Sequence, residues 1–431
     1  MWRAFRNAFR IPELRDRIVF TLLMLIVYRL GIFIPIPGIN LQEWANVLEG
    51  FQSEAFAGLI NFYDIFAGGA LQEFSILMMS VTPYINASII LQLLGSVIPA
   101  LKELAREGEE GKKKMAKYTR YLTVGLGFLQ GLFFSVAIAQ QPALVHPTLS
   151  PFFFVFVSTI TLVAGTMFAI WLGERITEKG IGNGISVLIF AGIVSRYPSY
   201  LGQAVVGQLD ILEWIVLIGV SLGIVVAVIF VQQGERRITV QYARRVSGRR
   251  VYGGQSTYIP MKINQGGVIP VIFGQAIMVI PAALAQLTGS QVAIRLLGTG
   301  APLYLIIYGG LILFFCYFYS IITFDVHDIS ENIKKYGGFI PGLRPGAPTE
   351  KYMLRILNRI TFMGATFLVT VAILPYLMTP VIGVNIAIGG TSTLIAVGVA
   401  LDIIQQMEAH MIMRNYEGFM KRGRLRGRKG G

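Results

Sequence analysis

The chain has 431 residues, of which 54% are hydrophobic and only 14% charged, a balance that excludes one or two ordinary soluble domains. Its formal net charge is +14, from 37 Lys and Arg against 23 Asp and Glu. A single cysteine, Cys316, excludes an intrachain disulfide, and His146, His327 and His410 lie too far apart in the chain to suggest a metal centre. No metal and no cofactor is expected.

Residues 1–17 place Trp2, Phe5 and Phe9 at helical spacing, with Arg3, Arg6 and Arg10 between them. This predicts an amphipathic helix on the inner leaflet, or else a plain topogenic tail. No small-residue cleavage site follows the first apolar run, so a removable signal peptide is not expected. Ten apolar segments of membrane length then follow: 18–34, 74–98, 121–139, 152–172, 185–197, 211–231, 267–287, 302–324, 360–379 and 388–406. The fifth is short and Gly-rich. Arg29 lies near the outer end of the first segment, where snorkelling would relieve its cost.

The second segment, Phe74 to Ile98, holds no charge, yet it contains Ser75, Ser80, Thr82, Pro83, Tyr84, Asn86, Ser88 and Gln92. Such groups are costly in hydrocarbon unless they face protein or water. One face of a helix here should therefore line something wet. Before it lies Asn61 to Ala70 (NFYDIFAGGA), too short and too polar to span: a surface loop or a re-entrant piece in a cavity.

With the N-terminus placed in the cytoplasm, the inner tails and loops hold 34 Lys and Arg and the outer loops hold 2, Arg196 and Arg295. That asymmetry fixes orientation and supports the span count. Loop 100–120 (EGEEGKKKMAKYTR within it) reads as a solvated linker. Gly180, Gly182 and Gly184 permit a tight turn into the fifth span. Two long inner loops stand out. Residues 235–266 alternate β-branched and aromatic residues around Ser247-Gly248, which predicts a projecting β-hairpin. Residues 325–359 form the second loop, and loops of such length are usually functional. Their basic residues fit ribosomal RNA, an acidic protein or anionic lipid.

Ten spans divide into five plus five, and two homologous units with an odd span number must sit inverted. The mid-membrane zone is empty of acids: Glu174, Asp325 and Asp402 lie at inner ends. No nucleotide-binding loop, nucleophile elbow or paired catalytic carboxylate is present, so neither an ion-coupled pump nor an enzyme is expected. A secondary solute transporter with an inverted five-plus-five repeat is the alternative reading, and the missing acids count against it.

The motifs IPIPG, TPYINASIILQLL, ITEKGIGNGIS, GRRVYGGQSTYIPMKIN and GGFIPGLRPG occur in that order along nearly the whole chain. In them the chain resembles the SecY/Sec-alpha family of protein-translocation channels, its bacterial branch in particular. The resemblance implies an all-α polytopic membrane protein. Ten transmembrane helices would form two inverted five-helix halves around a central pore, residues 18–201 and 202–407, followed by a basic tail, 408–431. It implies a pore ring of Val81, Ile85, Ile189, Ile272 and Ile395 with Ile185 adjacent. A plug would fall on Asn61, Phe62, Tyr63, Asp64, Ile65, Phe66, Ala67, Gly68, Gly69 and Ala70. A lateral gate between helices two and seven would be lined by Asn86, Asn264 and Ile280, and cytoplasmic docking would use Arg249, Arg250 and Arg344.

The implied activity is passage of unfolded secretory proteins across a bacterial inner membrane, with apolar segments released sideways. The implied partners are SecE-type and SecG-type small subunits, the motor ATPase SecA, a ribosome with its nascent chain, signal peptides and preproteins, and anionic lipid. The residues agree physically. Val81 and Ile85, like Ile185 and Ile189, are four apart and share a helix face. Aliphatic rings offer ions no ligand and dewet a narrow waist.

Overall fold

The computed structural model describes residues 11–50, 64, 66–141, 143–147, 149–206, 210–242, 245–247, 250–252, 256–287, 296–298, 301–382 and 390–422. The chain forms two compact units. The first comprises Met1–Gln52, Tyr63–Arg196 and Val399–Gly431; the second comprises Ser53–Phe62 and Tyr197–Gly398. Two of the dividing points, after Arg196 and after Gly398, fall inside helices.

The first unit opens with α1 (Pro12–Ile32), whose proline occupies the first turn, where no backbone donor is needed. A short helix follows, α2 (Leu41–Gly50). Next come α3 (Thr82–Val97), α4 (Pro99–Arg106), α5 (Glu109–Ala139), α6 (Pro151–Lys179) and α7 (Gly184–Val206). α3 ends where Pro99 disfavours further helix at Ile98. α5 buries Thr119, Thr123, Gly127, Gly131 and Ser135, one small residue per turn. This stripe lets neighbouring backbones approach closely, as small residues do between membrane helices. A Cβ on Gly131 would lie 3.6 Å from the Thr159 carbonyl of α6. Arg120 and Glu174 tie α5 to α6 at 2.7 Å.

Two expectations fail here. Residues 100–120 are not a linker: α4 and the first turns of α5 make them helical, with Glu109 and Glu110 placed favourably at the helix start. The second span is not one helix over 74–98 either. Helix begins only at Thr82, and residues 71–81 are successive turns, largely buried. The reason is a competing backbone pairing. Ile36 N–H donates to the Phe74 carbonyl at 3.0 Å, and Ile76 N–H donates to the Ile34 carbonyl at 3.0 Å. The IPIPG segment thus takes donors and acceptors that a helix would need. Phe74 (φ 43°) and Ser80 (φ 45°) bound the stretch in left-handed conformation.

The glycine turn between α6 and α7 is tight, as the sequence predicts. Gly182 has φ 87°, and a Cβ on Gly184 would sit 1.8 Å from the Gly173 carbonyl. The turn docks on α1, where Ile181 N–H donates to Thr21 Oγ1 at 3.1 Å, and on the last helix, α13 (Thr391–Arg422), where Gly182 N–H donates to Gln406 Oε1 at 2.9 Å.

The second unit contains α8 (Ile211–Gln233), α9 (Ile269–Leu287), α10 (Pro302–Thr323) and α12 (Ala347–Ile382). Val228, Val271, Tyr308, Ile312, Leu368 and Leu394 form its apolar core. Between the helices lies a separate module. Strands β1 (Glu235–Tyr242) and β4 (Ser256–Lys262) pair antiparallel, Ile238 opposite Ile259, and β5 (Gly338–Phe339) adds to the other edge of β1. The tip strands β2 (Arg245–Ser247) and β3 (Arg250–Tyr252) complete the predicted hairpin. Helix α11 (Val326–Lys335) and the start of α12 cover the sheet. Residues 325–359 are therefore no loop. They build half of a small domain whose other half is the hairpin.

Each of the ten predicted segments carries a helix. Among the described residues, six helices are long and apolar enough to cross a membrane, and shorter apolar helices occur at Gly184–Ser199 and Ile269–Met278. Faces such as Ile211, Leu212 and Phe230 of α8 are exposed, as a lipid-facing surface requires.

Candidate functional site

The most unusual packing lies where a short segment enters the first unit. Asp64 and Phe66 to Ala70 are all buried, although most of their side chains are small. Gly68 and Gly69 are left-handed, with φ of 63° and 98°. Gly68 lies so close to α7 that a Cβ would stand 2.6 Å from Gly192 Cα, so only glycine fits.

Polar groups from two helices meet this turn. Arg29 Nη1 of α1 donates to the Gly68 carbonyl at 2.8 Å and to Ser195 Oγ at 2.9 Å. Ser195 Oγ in turn donates to the Gly192 carbonyl at 2.7 Å. Arg196 of α7 forms an ion pair with Asp64, the two side chains being 13% and 4% exposed. Trp44 of α2 closes the other side, its Nε1–H donating to the Leu71 carbonyl at 3.0 Å and its ring set edge-on against Phe74. Below, the Tyr28 and Ser80 hydroxyls share a 2.7 Å hydrogen bond.

Arg29 therefore does not snorkel. It turns inward because a carbonyl and a hydroxyl await it, which is cheaper than carrying charge to the interface. Arg196 is likewise no free outer-loop charge: it belongs to a helix and pairs with a buried acid. Neither role was legible in the sequence, since the partners lie 39 and 132 residues away. The one available signal was the isolated Asp64 in an apolar stretch.

The predicted ring residues fall in both units. In the first, Val81 is fully buried immediately before α3, Ile85 follows one turn later, and Ile185 and Ile189 occupy successive turns of α7. Ile189 is buried and precedes Gly192 by three residues. In the second, Ile272 on α9 and Ile395 on α13 are buried. Of the expected gate residues, Asn86 is half-buried on α3, and Asn264 donates its side-chain amide to the Gly267 carbonyl at 2.8 Å, holding the turn into α9. The plug positions Asn61, Phe62, Tyr63 and Ile65, the docking residue Arg249, and the side chains of Ile280 and Arg250 lie outside the described residues.

Arg344 is exposed in the segment between β5 and α12, its carbonyl accepting from Thr349 Oγ1 at 2.9 Å. In the same module, Arg237 stacks on Tyr258 at 4.8 Å and bonds Glu235 at 2.6 Å. His327 of α11 faces Glu350 of α12 at 3.2 Å and Glu331 at 3.7 Å. The hydrogen bond to Glu350, then the charges of Glu350 and Glu331, hold the imidazole above its usual titration range. The module thus presents exposed basic side chains, some paired with glutamates, around a sheet with its own core.

A SecY family model matches residues 75–404. The SecY protein translocase subunit of Thermotoga maritima is 62% identical over 431 residues, covering all of both chains. That of Thermus thermophilus is 45% identical and covers 99% of this chain and all of its own. Among solved structures, a protein conducting channel superposes with TM-score 0.63 at 19% identity, covering 94% of this chain and 96% of its own. Sec61 from a canine ribosome–channel complex superposes with TM-score 0.60 at 18% identity and the same coverages, a likeness of fold. With a family model over three quarters of its length and full-length relatives at this identity, the chain belongs to the SecY family.

Proposed function

We propose that this multi-pass membrane protein is the channel subunit of a protein translocase, passing unfolded secretory proteins across the bacterial inner membrane with both termini in the cytoplasm. The observation that carries the reading is the buried turn at 64–70. A segment too short to span is held inside a helical unit by polar contacts, with Gly68 against Gly192 of α7. A re-entrant stopper needs that arrangement, and a solute carrier does not.

In this reading residues 61–70 are the plug. Val81, Ile85, Ile185, Ile189, Ile272 and Ile395 form the waist, which dewets when empty and fits round any passing side chain. Halves 18–201 and 202–407 part as a clamshell, and a seam beside Asn86, Asn264 and Ile280 opens toward lipid. Sorting at that seam is a partition: each Leu, Ile, Phe or Val favours lipid by ~0.3–0.6 kcal/mol, while one Asp or Lys at the centre costs ~2.5–3.5. About 20 apolar residues therefore leave sideways as a helix, and polar chains continue through. The basic module, with Arg249, Arg250 and Arg344, docks the SecA-type motor or the ribosome. SecE-type and SecG-type subunits complete the assembly, and anionic lipid meets the inner basic surface.

The test is reconstitution. Vesicles with this protein and its partner subunits should import an unfolded preprotein only when a nucleotide-driven motor is added; import without an energy source would refute the scheme. Replacing Ile85 and Ile272 together with glycine should let ions leak through the resting channel.

A further inference from the structure

We infer that the Asp64–Arg196 ion pair, with Arg29 on the Gly68 carbonyl, is a releasable electrostatic latch that keeps the 64–70 turn seated; this rests on reading that turn as the plug. Between 66 and 70 only Phe66 carries a large apolar side chain; the others are Ala67, Gly68, Gly69 and Ala70. Phe66 is fully buried, and the small residues after it seat through backbone, Gly68 against Gly192. The polar contacts set which geometry is tolerated: they cost little when fully made and much when half-made.

They suit that task. Asp64 and Arg196 are both taken out of water, and a buried pair is close to neutral in net stability because desolvation offsets attraction. Removing one partner is costly, since the other charge stays buried alone. Separating the intact pair costs little where both groups regain water, since the net contribution of the pair is near zero. The latch is therefore firm against loss of one charge yet open to release when a passing chain displaces the turn. Arg29 adds a second hold from α1, bridging Gly68 to Ser195 of α7, so both helices share the grip.

The experiment measures passive ion conductance of the resting assembly in planar bilayers, using the full chain with its partner subunits. Asp64→Asn should raise the open fraction on the order of a hundredfold, while Arg196→Lys, which keeps the charge, should stay nearly sealed. Arg29→Leu, on another helix, should leak to a smaller extent and gives a second reading should Asp64→Asn fail to fold. Deletion of residues 64–70 is the control. If the deletion leaks while Asp64→Asn and Arg29→Leu remain sealed, the latch is refuted and the plug reading survives. If the deletion is sealed as well, the plug reading falls and takes the latch with it.

Discussion

Two stretches of this chain look alike in the sequence, each a non-spanning insertion between apolar segments, and they are held in opposite ways. The turns at 64–81 are seated by backbone contact and by charges from α1 and α7. The sheet module in the second unit is held by its own apolar core, in which Ile238, Val240, Met261, Ile333, Met353 and Leu357 are buried. An apolar core resists displacement in proportion to buried area and cannot be released piecemeal. A glycine turn with an ion pair can be released as a unit, because its polar groups find water elsewhere. The difference shows which part is tied down by polar contacts and which by an apolar core.

The comparison can be broken at either end. The largest effect should come from Asp64→Asn, which removes the counter-ion of the buried Arg196 at about 3–5 kcal/mol; hydrogen exchange should rise around Asp64 and Phe66–Val81 and remain unchanged in β1 and β4. Met353→Ala should do the reverse. It removes a fully buried side chain of the module at about 2–5 kcal/mol, loosening the sheet amides while the resting ion conductance stays at the wild-type level. Gly68→Ala combines a left-handed φ with a clash against Gly192, worth about 1–3 kcal/mol, and should unseat the turn without touching any charge.

Two smaller effects sharpen the contrast. Tyr28→Phe deletes the buried hydrogen bond to Ser80, about 1 kcal/mol, and should lower the melting temperature without leak. In the module, the His327–Glu350 attraction is present below the ordinary imidazole range and is lost as pH rises through the raised folded value. NMR titration should place His327 above 6.5, and Glu350→Gln should bring it back down.

Most of the helices were legible because lipid demands long apolar runs, and the 34-to-2 distribution of basic residues ordered them. The hairpin at 235–262 was legible too, from its alternation. What the pattern hid was where helix stops inside an apolar run. Phe74 to Val81 has the composition of a span, but its backbone pairs with the chain at 34–36 instead. Loop 100–120 failed in the opposite sense, since its charges sit on a helix that outruns its apolar stretch. At the site, Asp64 was visible as an odd acid, whereas Arg29 and Arg196 looked like incidental surface charges.

The sequence by itself determined the membrane class, which segments carry helix and the family motifs, because apolar runs of membrane length and ordered motifs are local features of the chain. Only the tertiary structure decided which partner each polar side chain takes: Arg29 with Gly68 and Ser195, Arg196 with Asp64, the 325–359 segment with the hairpin. Those choices depend on long-range proximity, where desolvation forces every buried polar group to find whatever complement the fold brings within about 3 Å.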